Sequence, residues 1–456
     1  MELPELLAPA GDFEKLKVAL TFGADAVYCG IPLFSLRARE NDFSIPEIKK
    51  AILFTRNLKK KIHLTVNTFP RDSEFKKLEN FLAKIRNTPP DAFIFSDLGV
   101  MKILKKYFPK VPLHLSVQAN TVNSAAVKVW QKLGVKRIIL ARELSIQEIR
   151  KIVAGNSQME FETFVHGAIC VSYSGRCLLS MYLNSRDANR GKCSQPCRWK
   201  YSLEEEQRSG EYFPIEEDLK GSYILNSRDL CLIEKIPQLV RAGILSFKIE
   251  GRNKTVGYLA TIVHVYRKAL DDFAAGKKFD KNLRKEISST GNRGFTLGFF
   301  DGSLKNLQNY DRSVGENPQN FLGLIEKKKD NFYLLEVKNR FEKGDKITSV
   351  IPRGGMKKLK VEEIRDEKFF EIFHAHGGQK EKVWVKLNCE LPLLTLLRKC
   401  GIRKLSFHFV RIPSLNWKET CLMRKKKPIG SKFGWMEGSN STNRKLKKSG
   451  RGLRSR

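Results

Sequence analysis

Cysteines are the residues of this sequence whose type and spacing most directly suggest chemistry. The chain has nine cysteines in 456 residues, and five of them lie close together along the sequence. Thiols grouped in this way form disulfides, bind a structural zinc ion or hold an iron–sulfur cluster. The five are Cys170, Cys177, Cys193 and Cys197, all within "HGAICVSYSGRCLLSMYLNSRDANRGKCSQPCRW", and Cys231, in "LNSRDLC".

The N-terminal sequence and the cysteine spacing help to separate these three explanations. "MELPELLAPAGDFEKL" has no basic stretch followed by an apolar one, so we predict no signal peptide and a cytoplasmic location, where thiols stay reduced. Structural zinc sites usually have two close cysteine pairs, whereas only Cys193 and Cys197 are spaced in that way here. Thiolates around an iron–sulfur cluster tolerate wider spacing because the fold brings them together. The spacing favours a cluster and leaves a zinc site or unligated cysteines as alternatives.

A second group of candidate residues stands at the ends of short apolar segments that we predict to be β-strands. If these strands are parallel, their carboxyl ends meet at one edge of the sheet, where ligands bind in such folds. Each residue could instead cap a helix or anchor a loop, but together they indicate a polar pocket suited to an anionic substrate. They are Cys29, Asn67, Ser96, Asp97, Gln118, Asn120, Arg142, Glu143, His166, Glu250 and Arg252.

The elements that must position these residues alternate between strand and helix patterns over the first three hundred residues. "ELLAPAG" predicts a strand, and "DFEKLKVALTFG" predicts a helix that begins after Asp12 and ends near Gly23. Eight strand patterns follow one another, and each except the seventh precedes a helix pattern. Eight such units predict an α/β fold, a closed TIM-like (β/α)8 barrel. An open doubly wound sheet is the alternative, but no Gly-x-Gly-x-x-Gly turn follows the first strand.

The pattern changes after residue 300, where hydrophobic residues alternate with period two between turn residues. This alternation predicts a small antiparallel β-barrel or sandwich. The final segment is poor in apolar residues and rich in Lys, Arg, Ser and Gly, which predicts a disordered basic tail. We therefore place the TIM-like barrel at 1–300 with a cysteine-rich insertion at 166–235 after the seventh strand, the small β-barrel at 318–398 and the tail at 401–456.

The charge of the chain indicates a polyanionic partner. The formal net charge is +35, and residues 401–456 contribute +14 of it from 16 Lys or Arg and 2 acidic residues, which leaves +21 on the first 400 residues. Such an excess attracts nucleic acid over long distances. Lysine-rich solvated helix faces are the alternative explanation. No segment approaches the run of about 18 apolar residues that a membrane-spanning helix needs, so we predict no membrane insertion.

The segment "ETFVHGAICVSYSGRCLLS" resembles the sequence signature of peptidase family U32. Residues in its pattern are Glu162, Phe164, Gly167, Cys170, Gly175, Cys177 and Ser180. The segments "ELLAPAG", "GADAVYCG", "RDANRGKCSQPCRWKY" and "LNSRDLC" resemble the same family, and the resemblance covers roughly residues 3–398. It implies a [4Fe–4S] cluster held by Cys170, Cys177, Cys193 and Cys231, with Cys197 as an alternative ligand because one branch of the family uses a different set.

The length and domain content are similar to the branch of the family that hydroxylates tRNA. That resemblance implies conversion of the wobble uridine to 5-hydroxyuridine without molecular oxygen, with tRNA as partner and prephenate, a small anion, as the source of the hydroxyl. Other branches act on ribosomal RNA or on ubiquinone precursors, and a few members are described as collagenases. A collagenase-like peptidase and an RNA-binding scaffold with a structural cluster therefore remain alternatives.

Candidate roles follow from residue type and position. A protease needs an activated nucleophile or a metal-bound water, and neither His-Glu-x-x-His nor Gly-x-Ser-x-Gly occurs in the chain. An anionic co-substrate calls for arginines, which bind carboxylates in a bidentate manner. The candidate catalytic residues are His166, Glu143, Glu250 and Arg142, and the candidate substrate-binding residues are Arg37, Asn67, Gln118, Asn120, Arg176 and Arg252.

Overall fold

The first part of the chain forms a closed barrel of parallel strands. The computed structural model describes residues 3–36, 43–199, 203–204, 212–213, 226–303, 306–309, 319–378 and 381–400. Arg37 and the 401–456 tail, both singled out in the sequence, lie outside the described residues. The strands of this part are β1 Glu5–Pro9, β2 Ala26–Gly30, β3 Lys61–Val66, β4 Ala92–Phe95, β5 Leu113–Leu115, β6 Arg137–Ile139, β7 Glu160–Ala168, β8 Leu203–Glu204, β9 Tyr212–Phe213, β10 Asp229–Cys231, β11 Ser246–Ile249 and β12 Phe295–Thr296.

Eight of these strands close into the barrel. Strands β1 to β7 pair in chain order, and β11 pairs in parallel with both β7 and β1. A closed parallel barrel buries both faces of its strands, and all five residues of β2 are buried, although other strands also bury polar side chains such as Glu162 and Lys248. The predicted α/β class and the (β/α)8 barrel are therefore confirmed.

Helices cover the outside of the barrel and begin at side-chain caps. Asp12 accepts a hydrogen bond from the Lys15 amide at 2.8 Å, and Ser44 forms a capping box with Glu47. Asp97, at the end of the fourth strand, caps the next helix and does not belong to the pocket. The helices are α1 Phe13–Thr21, α2 Ile45–Asn57, α3 Asp72–Ile85, α4 Leu98–Tyr107, α5 Ser124–Lys132, α6 Ile146–Ala154, α7 Leu179–Asn184, α8 Ile236–Arg241, α9 Val256–Ala274 and α10 Lys281–Ser288.

Strand β7 carries the chain from the barrel into the cysteine-rich segment. Its last residues pair antiparallel with β10, so that Cys231 stands opposite His166. Strand β12 then pairs with β10 on its other side. The five clustered cysteines are therefore attached to the carboxyl end of β7, at the same end of the barrel as the predicted pocket.

The C-terminal region is a second barrel, made of antiparallel strands. Six strands close in the order β16, β21, β13, β14, β20, β17, with β16 pairing back to β17, and the predicted small β-barrel is confirmed. A buried ion pair between Arg398 and Glu286 joins it to α10, and the Phe321 ring packs on Gly257 of α9. The strands are β13 Gln319–Lys329, β14 Phe332–Glu336, β15 Phe341–Glu342, β16 Lys346–Val350, β17 Met356–Arg365, β18 Glu371–Ile372, β19 His374–Ala375, β20 Lys382–Leu387 and β21 Leu396–Cys400.

No helix in the described part of the chain combines the length and the apolar character needed to cross a bilayer.

Candidate active site

A cavity of about 50 Å³ lies at the carboxyl ends of the barrel strands. Its wall includes five of the predicted residues, which come from four different strand ends. The barrel thus brings together residues that are up to 185 positions apart in the sequence, because the ends of parallel strands share one rim. These five are Asn67, Gln118, Arg142, Glu250 and Arg252.

Two amide side chains form one hydrogen-bonded unit on the cavity wall. The Asn67 Nδ2 atom donates to Gln118 Oε1 at 3.3 Å, and Ser116 Oγ donates to the same oxygen at 2.5 Å. The Leu36 amide donates to Asn67 Oδ1 at 3.2 Å. Since these contacts fix both amides, the wall presents polar groups in a set orientation.

Two arginines reach the cavity from different strand ends. Arg252 is 4 % exposed, and its Nη1 atom donates to Ser35 Oγ at 2.5 Å and to Thr65 Oγ1 at 3.3 Å. Arg142 donates to the Ala168 carbonyl at 2.7 Å, and its guanidinium stacks 4.4 Å from the centroid of the Phe164 ring. Fixed guanidinium groups of this kind bind carboxylates and phosphates.

Glu250 is the only acidic residue among those lining the cavity in the described part of the chain. Tyr28 donates its hydroxyl to Glu250 Oε2 at 3.2 Å and to the Ile249 carbonyl at 2.9 Å. The Glu250 amide donates to the His166 carbonyl at 2.8 Å, which holds the backbone at this point. Glu250 is therefore placed where a carboxylate can accept a proton from a bound ligand.

Lys248 lines the same cavity and was not among the sequence-based candidates. Its Nζ atom is 2.9 Å from Glu162 Oε1 and 4.4 Å from the centroid of the Tyr28 ring. The sequence did contain a signal for it, because "SFKIE" places Lys248 two residues before Glu250 and thus on the same face of the strand. With Arg142 and Arg252 it gives the cavity three cationic groups against one carboxylate.

His166, a predicted catalytic residue, lies outside this cavity. It is 1 % exposed, packed among the rings of Tyr258, Tyr266 and Phe295. Burial lowers the pKa of His166 to about 3, so the ring is neutral at neutral pH. The sequence pattern placed His166 at the end of the seventh strand and so at the pocket, but β7 continues to Ala168 beside β10, and the ring is buried.

Three further predicted residues hold a turn of the cysteine-rich segment against the barrel rim. Glu143 Oε1 accepts a hydrogen bond from the Ser174 amide at 2.7 Å, and Asn120 Oδ1 accepts one from Ser174 Oγ at 2.8 Å. Arg176 Nε donates to the Gln118 carbonyl at 2.6 Å. Glu143, Asn120 and Arg176 are thus not part of the cavity wall but fix the turn beside it.

The clustered cysteines lie in two environments. None of the seven cysteines whose side chains the structure describes is in a disulfide. Burial, followed by the nearby thiol of Cys170 and that of Cys193, raises the pKa of Cys197. Cys231 is 3 % exposed in β10, and its Sγ atom lies 3.9 Å from Tyr266 Oη. The structure therefore associates Cys197 with Cys170 and Cys193 and places Cys231 in the barrel core.

The thiols were tested as a ligand set for a metal or cluster. They are soft donors, not engaged in disulfides and close to the barrel mouth, which suits iron or zinc. Across the described ranges, however, no three His, Cys, Asp or Glu side chains converge closely enough to hold a metal ion. The described arrangement thus does not itself form a four-thiolate site, and the ligand sets implied by the resemblance stay predictions.

Comparison with protein families identifies the chain. Residues 11–309 match the model for peptidase family U32, and residues 317–398 match the model for the peptidase family U32 C-terminal domain.

The chain belongs to peptidase family U32.

Relatives of this U32 protein carry different names. It is 38% identical over 432 residues to tRNA hydroxylation protein P of Escherichia coli (strain K12), an alignment that covers 86% of this chain and 95% of the relative. It is 35% identical over 402 residues to tRNA hydroxylation protein P1 of Bacillus subtilis (strain 168), with 87% and 94% covered. It is also 30% identical over 400 residues to a collagenase of Porphyromonas gingivalis (strain ATCC BAA-308 / W83), with 84% and 94% covered.

The cavity of this U32 protein can be compared with what a peptidase requires. Among the described residues that line it, none is a histidine or a cysteine, and His166 is buried elsewhere. Ser35, which also lines the cavity, is hydrogen-bonded to Arg252 and Thr65 and has no base of the Ser–His type beside it. The wall is instead cationic and rich in hydrogen-bonding groups, which suits an anionic ligand.

Proposed function

We propose that this U32 protein hydroxylates the wobble uridine of tRNA to 5-hydroxyuridine without molecular oxygen and takes the hydroxyl from prephenate. The observation that carries the proposal is the 38% identity to tRNA hydroxylation protein P over 95% of that relative. The net charge of +35 also favours tRNA as the partner, since a basic protein gains affinity by releasing counterions from nucleic acid. The protein acts in the cytoplasm, where tRNA is modified.

In this proposal the cationic cavity binds the co-substrate. Prephenate carries two carboxylates, and Arg142, Lys248 and Arg252 offer cationic donors to them. Asn67 and Gln118 supply neutral hydrogen bonds that orient the molecule. Glu250 accepts a proton, because it is the carboxylate that faces the same space.

A [4Fe–4S] cluster is part of the proposal as well. Cys170, Cys177, Cys193 and Cys231, or Cys197 in place of Cys231, would hold it. When bound, such a cluster supplies Lewis-acid or one-electron chemistry. The nearness of Cys197 to Cys170 and Cys193 supports Cys197, whereas the family resemblance supports Cys231.

The function is tested by nucleoside mass spectrometry of bulk tRNA. A strain that lacks the gene should lose 5-hydroxyuridine and its derivatives from tRNA, and a plasmid copy should restore them. The Arg142→Met variant should restore about a tenth or less, because loss of one charge-assisted hydrogen bond costs about 1.5 to 3 kcal/mol. Arg150→Met, which removes an exposed arginine of α6, is the control and should restore the modification fully. Persistence of these nucleosides in the deletion strain would contradict the proposed function.

The cluster is tested on protein purified without air. The preparation should be brown, with about four irons per chain. Cys170→Ser should lose most of the iron, and a comparison of Cys197→Ser with Cys231→Ser should show which of the two thiols is the fourth ligand. Cys389→Ser, in the C-terminal barrel, is the matched control. A colourless preparation with one zinc per chain would contradict the cluster.

A further inference from the structure

A second cavity of about 280 Å³ lies beside the first, at the base of the cysteine-rich segment. Its wall includes Glu143, Cys170, Tyr173, Phe299 and Gln308. Of these residues, only Cys170, as a cluster ligand, has a role in the function proposed above.

The turn around Gly175 separates the two cavities. Gly175 has a φ of 73°, and a Cβ atom there would lie 3.4 Å from Gln118 Nε2 and 3.9 Å from Cys170 Sγ. Gln118 lines the first cavity and Cys170 lines the second. A ligand in the second cavity is therefore one turn of backbone away from a ligand in the first.

Aromatic and apolar groups form one part of the second cavity. Tyr173 is 54 % exposed, although it lies in a 3₁₀ turn next to a buried residue, and Phe299 is half-buried. Val171, which is 39 % exposed, lies between Cys170 and this turn. Exposed aromatic faces of this kind are the surfaces on which proteins stack single nucleic-acid bases.

Two hydrogen-bond acceptors in the wall lack a donor. Glu143 Oε2 and Gln308 Oε1 are buried and have no hydrogen-bond partner among the described residues. Each is held in place by other contacts: Glu143 Oε1 accepts from the Ser174 amide, and the Gln308 carbonyl accepts from Arg228 Nε at 2.9 Å. A buried acceptor without a donor is costly, so the Glu143 carboxylate suits a planar ligand that brings one N–H group, and the Gln308 amide can turn over to present its NH₂ group to a ligand oxygen.

We propose that this cavity receives the flipped-out uracil base of the RNA substrate. The base stacks on Tyr173 and Phe299, its N3–H group donates to Glu143, and one of its carbonyl oxygens accepts from the Gln308 amide. Enzymes that modify a base take it out of the stack and recognise its Watson–Crick edge in this way. The inference rests on the proposed function and adds to it a position for the base, next to Cys170 and one turn away from the co-substrate.

Glu143 would also distinguish uracil from cytosine. Cytosine has an acceptor at N3, where uracil has a donor, so a fixed carboxylate at this position opposes it. In Glu143→Gln, the Ser174 amide keeps the side-chain oxygen at the Oε1 position, and the NH₂ group therefore takes the Oε2 position. The substitution changes the group that faces the base from an acceptor to a donor.

The test measures binding of two fluorescent anticodon stem–loop RNAs that differ only in U or C at the wobble position. Fluorescence anisotropy should show that the full-length protein binds the U form on the order of tenfold more tightly, the size expected for one good base-edge contact. Glu143→Gln should abolish or reverse this preference. Tyr173→Ala should weaken binding of both RNAs on the order of tenfold through lost stacking.

Two further variants keep the result interpretable. Phe370→Ala removes a 68 % exposed aromatic ring of the C-terminal barrel and should bind both RNAs like the unmodified protein. Gln308→Leu should weaken binding of the U form without a change in thermal stability. This variant leaves the Glu143 contact with Ser174 intact, so it tests the base site even if Glu143→Gln loosens the turn. An unchanged U preference in Glu143→Gln and Gln308→Leu, or no preference in the unmodified protein, would overturn the inference.

The outcome is separable from that of the proposed function. Binding is measured without turnover, so it requires neither the co-substrate nor the cluster. If bulk tRNA of the deletion strain kept its 5-hydroxyuridine derivatives, the proposed function would fail, whereas a U preference that disappears in Glu143→Gln would still support the base site.

Discussion

Glu162 and Lys248 form an ion pair inside the barrel, below the cationic cavity. The side chains are 0 % and 4 % exposed, and their charged atoms are 2.9 Å apart. Glu162 Oε2 also accepts a hydrogen bond from Ser246 Oγ at 3.1 Å, and Arg137 Nη1 is 3.5 Å away. Since Lys248 lines the cavity, Glu162 balances a charge that would otherwise be buried alone, and it positions the lysine for an anionic ligand.

We expect Glu162→Gln to destabilise the protein by about 3 to 5 kcal/mol, the usual cost of leaving one charge of a buried pair uncompensated. The substitution keeps the volume and removes only the charge. Urea unfolding at neutral pH measures the difference. Glu390→Gln breaks the exposed pair with Lys328 and is the matched control, with an expected change within about 0.5 kcal/mol. Equal losses in the free energy of unfolding of the two variants would show that the buried ion pair contributes no more to stability than the exposed one.

At the scale of elements, the close approach of β7 to the end of β11 shapes the cavity. The register between these strands shifts between Lys248 and Ile249. Gly167, in β7, has a φ of 106°, and a Cβ atom there would lie 2.2 Å from the Glu250 carbonyl oxygen. Only glycine permits both this backbone conformation and this distance. Glu250 therefore depends on Gly167 for its position at the cavity.

We expect Gly167→Ala to destabilise the protein by clearly more than the roughly 1 kcal/mol that a left-handed alanine costs by itself. The added methyl group overlaps the Glu250 backbone, so tRNA hydroxylation in the complementation assay should also fall. Gly276→Ala is the control, because Gly276 has a φ of 68° and no atom within 4 Å of its Cβ position. Thermal unfolding of both variants measures the difference in stability. Similar losses of stability would mean that position 167 requires glycine only for its backbone conformation and not for the close approach to Glu250.

At the scale of the whole molecule, charge is the dominant property. The net charge of +35 is shared between the first 400 residues, with +21, and residues 401–456, with +14. The described part joins its two barrels through the buried pair of Arg398 and Glu286. An RNA partner therefore meets excess positive charge both on the barrels and on the C-terminal segment.

We expect the affinity for tRNA to fall steeply with salt, because each phosphate contact releases a counterion. A chain that lacks residues 401–456 should bind more weakly at low salt and show a shallower slope of log K against log[KCl]. Anisotropy titrations at several KCl concentrations measure both slopes. Identical slopes for the two chains would indicate that the C-terminal segment makes no phosphate contacts.

The local patterns of the sequence determined the elements of this protein. Alternating strand and helix patterns predicted the eight-stranded barrel, and Asp12 marked a helix start that the structure confirms. These features depend on neighbouring residues, since a cap or an apolar run acts within a few positions. The resemblance around Cys170 identified the family for the same reason, as its motif is contiguous.

Only the tertiary structure decided which polar residues work together. His166 was predicted to end a strand, yet β7 continues to Ala168 in antiparallel contact with β10, and the ring is buried away from the cavity. Lys248 lies within a short strand and was not predicted as a site residue. Its partner Glu162 is 86 residues away along the chain. Glu143 directly follows Arg142 but lines a different cavity. Burial and pairing between distant strands set these roles, because a side chain's chemistry depends on the groups that the closed barrel places around it.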